Sequence, residues 1–253
     1  MAVLTASVSL LVVLLGLGAA PAYPQAPRTP VLIELFTSEG CSSCPPADAL
    51  LQDLLEGQPV EAAEIVALSL HVDYWDHQGW KDPFASRAFT ERQRAYSRTL
   101  GRDEIHTPQL ILDGRDEVRG ADRESMMRAV RLAAARPHLP LSATARFAGE
   151  TLRLTIDLPA APGGAEPIDV LVAVTEDGVT SVVRRGENSG RTLTHVAVVR
   201  SLERSGTLEP EAFVAEGQIR LARGWARANL RPVIWLQGRT SRYVYAATRV
   251  RPQ

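Results

Sequence analysis

The sequence predicts an α/β domain followed by a mostly β, sandwich-like module. Three observations carry this. A short apolar run at 31–36 is followed by Cys41-Ser42-Ser43-Cys44 and then by leucines at helical spacing. A second apolar run, 65–72, reads as a strand buried on both faces. Beyond the break at 137–140, the chain changes to short alternating segments separated by Gly and Pro turns.

Val31, Leu32, Ile33, Leu35 and Phe36 form a run too brief for an independent helix, so it reads as the first strand. Leu50, Leu51, Leu54 and Leu55 give the next segment one apolar helical face. Pro45 and Pro46 fit the first turn of that helix, where amide protons lack partners anyway. Both cysteines therefore fall at a helix N-terminus. Strand, helix and the strand at 65–72 make a right-handed βαβ unit whose two strands end at one sheet edge. That places the segment 71–84, HVDYWDHQGWKDPF, beside Cys41. Its Tyr74, Trp75 and Trp80 read either as covering for the sheet end or as the wall of a cleft around the cysteines. Asp73, Asp76 and Asp82 lack the spacing and the Gly of an EF-hand calcium loop.

A polar helix is expected over 84–100, ended by Gly101, with Arg87, Arg92, Arg94 and Arg98 on a solvated face. A strand over 105–112 follows, with Pro108 near its start, where a sheet tolerates proline. Asp113-Gly114 turns the chain into a return strand beginning at Val118. Asp122 caps a last helix reaching about Ala135. The predicted order is β-α-β-α-β-β-α over 29–136. Strands are then expected at 141–147, 151–158, 168–175, 179–184, 192–200, 218–221, 233–236 and 243–250, making 141–253 a β-rich module. His138 and His195 read as surface or packing residues.

The formal net charge of −1 over 253 residues gives no support to a nucleic-acid surface or an anionic-membrane binder. Residues 1–22 read as a secretory signal: an apolar run, then small residues and Ala20-Pro21-Ala22, without the usual positive start. Retention as an uncleaved N-terminal anchor is the alternative. The expected location is periplasmic or secreted.

Export makes a disulfide possible, and Cys41–Cys44 is the only pairing two cysteines allow. So small a loop removes little entropy from the unfolded chain, so a chemical role outweighs a stapling one. A Cys-X-X-Cys thiol at a helix N-terminus can be poised as thiolate, the helix end favouring an anion and nearby Glu39 opposing it. The first reading is therefore a thiol–disulfide oxidoreductase whose redox-active disulfide is its only cofactor. Its partners would be exported proteins or small-molecule thiols and disulfides. Two readings stand beside it. Cys41 and Cys44 with His71 and His106 could form a Cu(I) carrier site. Alternatively, the disulfide is structural and the β module binds a partner.

The order of elements, with C-x-x-C opening the first helix and a proline starting the third strand, resembles the thioredoxin fold. VLIELFTSEGCSSCPPADALL, HVDYWDHQGWKDPF and HTPQLILDG more closely resemble the secreted thioredoxin-like family known as domain of unknown function 1223. The likeness extends to GENSGRTLTHVAVVR. The resemblance to thioredoxins implies that Cys41 attacks and Cys44 resolves, the earlier cysteine being the more exposed. It also implies a cis Pro108 facing the dithiol and a Thr107 backbone that pairs with an extended substrate held against Tyr74, Trp75 and Trp80. Ser42-Ser43 departs from the His or Pro that well-known oxidoreductases of this fold carry, and leaves the direction of electron flow open.

Overall fold

A computed structural model describes residues 27–164 and 166–253; the expected signal at 1–22 lies outside them. The first half runs β1 (Thr29–Thr37), α1 (Pro45–Gly57), β2 (Ala63–His71), a 3-10 turn (Asp73–Gln78), α2 (Arg87–Thr99), β3 (Gln109–Leu112), β4 (Asp116–Arg119) and α3 (Arg123–Ala134). The second half is β5 (Ser142–Ala148), β6 (Thr151–Leu158), β7 (Ile168–Glu176), β8 (Val179–Val182), β9 (Thr192–His195), β10 (Val198–Thr207), β11 (Phe213–Arg220), a 3-10 turn (Arg227–Asn229), β12 (Leu230–Gly238) and β13 (Val244–Arg249). Among the described residues no helix is long and apolar enough to cross a membrane.

Most elements lie within a few residues of their expected places. The strand expected at 105–112 is shorter and starts just after Pro108. The strand expected at 192–200 is two strands, split at Val196 and Ala197, the latter with a positive φ of 51°. Asp122 caps α3 as expected, accepting from the amides of Glu124 and Ser125.

The expected division into an α/β thioredoxin-like domain and a β module is overturned. The chain is mostly β, and strands from both halves make one mixed eight-stranded sheet in the order β13-β12-β7-β10-β2-β1-β3-β4. β10 pairs with β2 through Val198 and Ser69, and the Ser69 amide donates to Ala197 O (2.8 Å). An unpaired edge of a strand buried on both faces would leave amide and carbonyl groups without partners. The second half supplies those partners. Periodicity identifies strands, but it does not say which edge each one joins.

Alternation along each strand then fills three cores. Val31, Ile33 and Leu35 of β1 and Ile65 and Ala67 of β2 face α1 and α3. Val170, Val172 and Val174 of β7 and Ile234 and Leu236 of β12 face a separate three-stranded sheet, β11-β6-β5. The opposite face carries Leu32, Phe36, Leu68, Leu70, Leu171 and the fully buried Trp235. The sheet curls around this third core, so that its far strand, β13, returns to the β3–β4 turn, the Val244 amide donating to Asp113 O (3.0 Å).

The turn is specific. Asp113, with a φ of 45°, is fully buried and its Oδ1 accepts from the Leu32 amide (2.9 Å). His138, read as a surface or packing residue, packs its side chain against the turn, with Nε2 3.3 Å from Asp113 Oδ2. Gly114 has a φ of 70°, and a Cβ there would run into the Arg242 backbone. Gly114→Ala should therefore lower stability by more than the ~1 kcal/mol of an ordinary glycine replacement, because both strain and collision act. A chemical-denaturation midpoint measures it.

Candidate functional site

The site begins where β1 ends. Thr37, Ser38, Glu39 and Gly40 lead off the sheet into Cys41, whose amide donates to Ser38 O (3.1 Å). Cys41 and Cys44 are joined in a disulfide, with Cα atoms 5.4 Å apart. Cys44 is the N-cap of α1, so the second sulfur sits at the helix start as the spacing predicts.

The helix start differs from expectation in its donors. Pro45 and Pro46 occupy its first two positions and have no amide proton, and the Ala47 amide is already given to Cys44 O (2.8 Å). The prolines that suit the first turn also strip it of donors for a thiolate. The Ser43 hydroxyl, 3.4 Å from Cys41 Sγ, replaces them. Ser43→Ala should raise the Cys41 thiol pKa in the reduced chain, and the pH dependence of alkylation of a Cys44→Ser background reads that change.

Beneath the cysteine loop lies a buried ionisable cluster. Glu39 is fully buried; its Oε2 accepts from Trp80 Nε1 (2.8 Å) and Ser181 Oγ (3.1 Å), and its Oε1 lies 3.3 Å from His195 Nε2. The Glu39 amide donates to Asp82 Oδ2 (2.8 Å), which also lies 2.7 Å from His71 Nδ1. The His71 and His195 rings meet edge to face, centroids 4.8 Å apart. Asp48, one turn beyond Cys44, completes the group. Among the described residues, the buried His71 Nε2 and His195 Nδ1 have no hydrogen-bond partner.

Three of these groups titrate away from their ordinary values. Burial pushes the Asp48 carboxyl up, and the neighbouring His195 and His71 only partly offset this. Burial also pulls on His71 and Asp82, but their mutual attraction wins: His71 is raised and Asp82 lowered. Asp82 therefore contributes stability above its ordinary 3.8, lost as pH falls through its depressed value. His71 contributes fully below its ordinary 6.5, and the contribution fades as pH rises through its elevated value. The stability difference between the parent chain and Asp82→Asn should be greatest between those two ordinary values. Melting temperature against pH for both proteins tests it.

The aromatic wall is present but its indole N–H groups are committed. Trp75 Nε1 donates to Thr107 Oγ1 (2.8 Å), and its Cβ stands 3.2 Å from where a Cβ on Gly40 would be. Trp75 thus spans the cysteine loop and the Thr107–Pro108 loop. The Thr107–Pro108 peptide is cis. Trp80 is tied to Glu39, and Tyr74, half-buried, packs on the core under the sheet.

The four residues of the alternative metal set are not gathered. His106 sits 3.5 Å from Glu117, His71 is engaged by Asp82, and both sulfurs are in the disulfide. Among the described residues no group of three or more His, Cys, Asp or Glu has the geometry to hold a metal ion.

Two expectations are corrected. Cys41 is not the more exposed cysteine: both are fully buried. Arg92 is not on a solvated face; its side chain is 9% exposed and pairs with Glu34 of β1. Sequence reading also missed His195, Glu187 and Asn188, which reach the site from the second half. GENSGR, with two glycines around Glu187 and Asn188, was the available signal of a tight tip.

Comparison with known proteins agrees with this picture at the level of family and fold. A family model described as a protein of unknown function (DUF1223) matches residues 32–237. A crystal structure of a protein from Agrobacterium tumefaciens is similar, with 29% identity over 88% of this chain and 95% of that one, at a TM-score of 0.69. A domain of the outer membrane lipoprotein Omp28 from Porphyromonas gingivalis has 15% identity over 46% of this chain and 91% of its own, at a TM-score of 0.32. A DUF3823 family protein from Bacteroides ovatus has 12% identity over 44% and 54%, at 0.30. The last two likenesses are too slight to bear on the fold. No curated protein matches the chain.

Proposed function

The chain belongs to the DUF1223 family, and from that premise and the geometry of the cysteine loop we propose that it is an exported thiol–disulfide oxidoreductase. The observation that carries the reading is the Cys41–Cys44 disulfide at the start of α1, set over buried ionisable groups from both halves of the chain. A bridge between residues three apart adds little to stability, so its position on top of Asp48, His71, His195, Asp82 and Glu39 calls for chemistry.

In the reduced form Cys41 thiolate attacks a substrate disulfide. A Cys41–substrate bond forms, the substrate disulfide breaks, and one substrate sulfur leaves as thiolate. Cys44 thiolate then attacks Cys41 Sγ, closing the protein disulfide and releasing the second substrate sulfur. Two electrons pass to the substrate, and the reverse sequence oxidises a dithiol. Asp48, one turn from Cys44 and held toward its neutral form by burial, supports proton exchange at that sulfur. Substrates are thiols or disulfides of exported proteins or small molecules, with Thr107, Pro108, Tyr74, Trp75 and Trp80 lining the approach.

Equilibration in thiol–disulfide buffers, followed by alkylation and mass measurement, tests the reading. The expected result is a reversible two-electron transition within or near the range of about −120 to −270 mV spanned by known exchange proteins. A bridge that stays closed below about −300 mV is a structural disulfide, and that outcome overturns the proposal.

A further inference from the structure

We infer that the β8–β9 hairpin is a latch that closes the redox site and sets the rate at which its disulfide can be attacked; the inference concerns regulation of the site proposed above and rests on that reading.

β8 and β9 pair only with each other, forming a two-stranded ribbon outside the eight-stranded sheet. Leu193 and His195 anchor its β9 strand in the interior, and Val183, where β8 leads into the tip, is fully buried as well. Its tip is braced internally: the Gly190 amide donates to Val183 O (2.9 Å), Ser189 to Gly186 O (3.1 Å) and Arg191 to Asn188 O (3.1 Å). Arg191 Nη1 also donates to Asn188 Oδ1 (2.8 Å), which orients the Asn188 amide.

From this tip two side chains hold the cysteine loop. Asn188 Nδ2 donates to the carbonyls of Glu39 and Cys41, both at 2.9 Å. Glu187 Oε2 accepts from the Ser42 amide (3.0 Å) and the Ser42 hydroxyl (2.7 Å). These bonds hold the Glu187 carboxyl below the usual carboxylate range, so the closed form stays charged into mildly acidic solution. Gly186 rests on Trp80, with a φ of 76° and room for no more than a close contact at a Cβ. With this arrangement closed, both sulfurs are fully buried.

A thiolate must reach Cys41 Sγ to break the S–S bond, and exchange rates follow access. The closed site therefore reacts slowly. What keeps it closed is polar: the Glu187–Ser42 bonds are exposed and the Asn188 bonds buried. Between Arg184 and Arg191 only Asn188 is buried, so lifting the tip exchanges protein hydrogen bonds for bonds to water without exposing apolar core. Such bonds are individually weak. The ribbon can open while its base stays anchored.

The test uses the full chain and dithiothreitol as the probe. Glu187→Ala, Asn188→Ala and the double variant are reduced under pseudo-first-order conditions, quenched by alkylation and read by mass. The opening rate should rise about threefold in Glu187→Ala and about tenfold or more in the double variant, in line with two or more lost hydrogen bonds. Hydrogen exchange at the Ser42 amide should accelerate in parallel in Glu187→Ala. Rates within twofold of the parent, in variants with an unchanged melting temperature, overturn the latch. Should Asn188→Ala misfold, the exposed Glu187→Ala decides alone. The experiment is separable from the redox titration: a low midpoint removes the oxidoreductase reading but leaves the rate effect, and the converse also holds.

Discussion

Arg92→Ala is expected to destabilise the whole chain by about 3–5 kcal/mol, the usual cost of removing one partner of a buried ion pair. Arg92 Nη2 donates to Glu34 Oε1 (2.9 Å), to Tyr96 Oη (2.9 Å) and to Gln237 Oε1 (3.0 Å). Tyr96 donates to the same carboxylate, and Gln237 Nε2 donates to Tyr96 Oη (2.7 Å). The guanidinium also lies 5.3 Å from the Trp235 ring. Glu34 belongs to β1, Arg92 and Tyr96 to α2, and Gln237 and Trp235 to β12, so the network ties the first half to the second. Truncating Arg92 leaves a carboxylate that is 1% exposed without its counter-charge. Against a typical total of about 5–15 kcal/mol, the loss is severe. At about 2–4 °C per kcal/mol, the melting temperature falls by about 6–20 °C. Glu34→Gln keeps part of the hydrogen bonding and should cost less. A single transition in both variants is expected, since the sheet is continuous; two separate transitions would show that the halves melt independently.

Cys44→Ser is expected to accumulate a covalent complex through Cys41, whereas Cys41→Ser accumulates far less. Without Cys44 the mixed disulfide has no internal resolving thiol, so it persists until an external thiol reaches it. Without Cys41 the remaining thiol sits at the N-cap, behind the loop that carries Ser42 and Ser43. The readout is a non-reducing gel and mass analysis after incubation with a disulfide-containing polypeptide. Turnover in a coupled disulfide-reduction assay should fall to the uncatalysed level in both variants, the largest activity effect expected for any single substitution here. Equal trapping by both variants would contradict the assignment of Cys41 as attacker. Pro108 substitution should slow turnover while the cysteines still pair, so it separates substrate handling from the redox couple.

Much of this was legible in one dimension. The buried runs of β1 and β2, the leucine face of α1, the Asp-Gly turn and the Asp122 cap each depend on local spacing or on backbone preference. The cysteine pair at a helix start follows from the same local rules. Arg92 was misread because a polar helix with several arginines gives no local sign of which one meets a carboxylate 58 residues earlier in the chain. His195 was missed for a similar reason, since an alternating strand shows that one face is buried but not which face lies against Glu39.

The sequence by itself determined the family, the strands and helices near their true bounds, and the dithiol at the head of α1, because these are written in contiguous residues. Only the tertiary structure decided that both halves share one curled sheet, that the two sulfurs are buried, and that Glu187 and Asn188 hold the cysteine loop. Those outcomes depend on which strand edge satisfies β2 and where the β8–β9 tip comes to rest. Both are set by long-range hydrogen bonding and core packing, which leave no periodic trace along the chain.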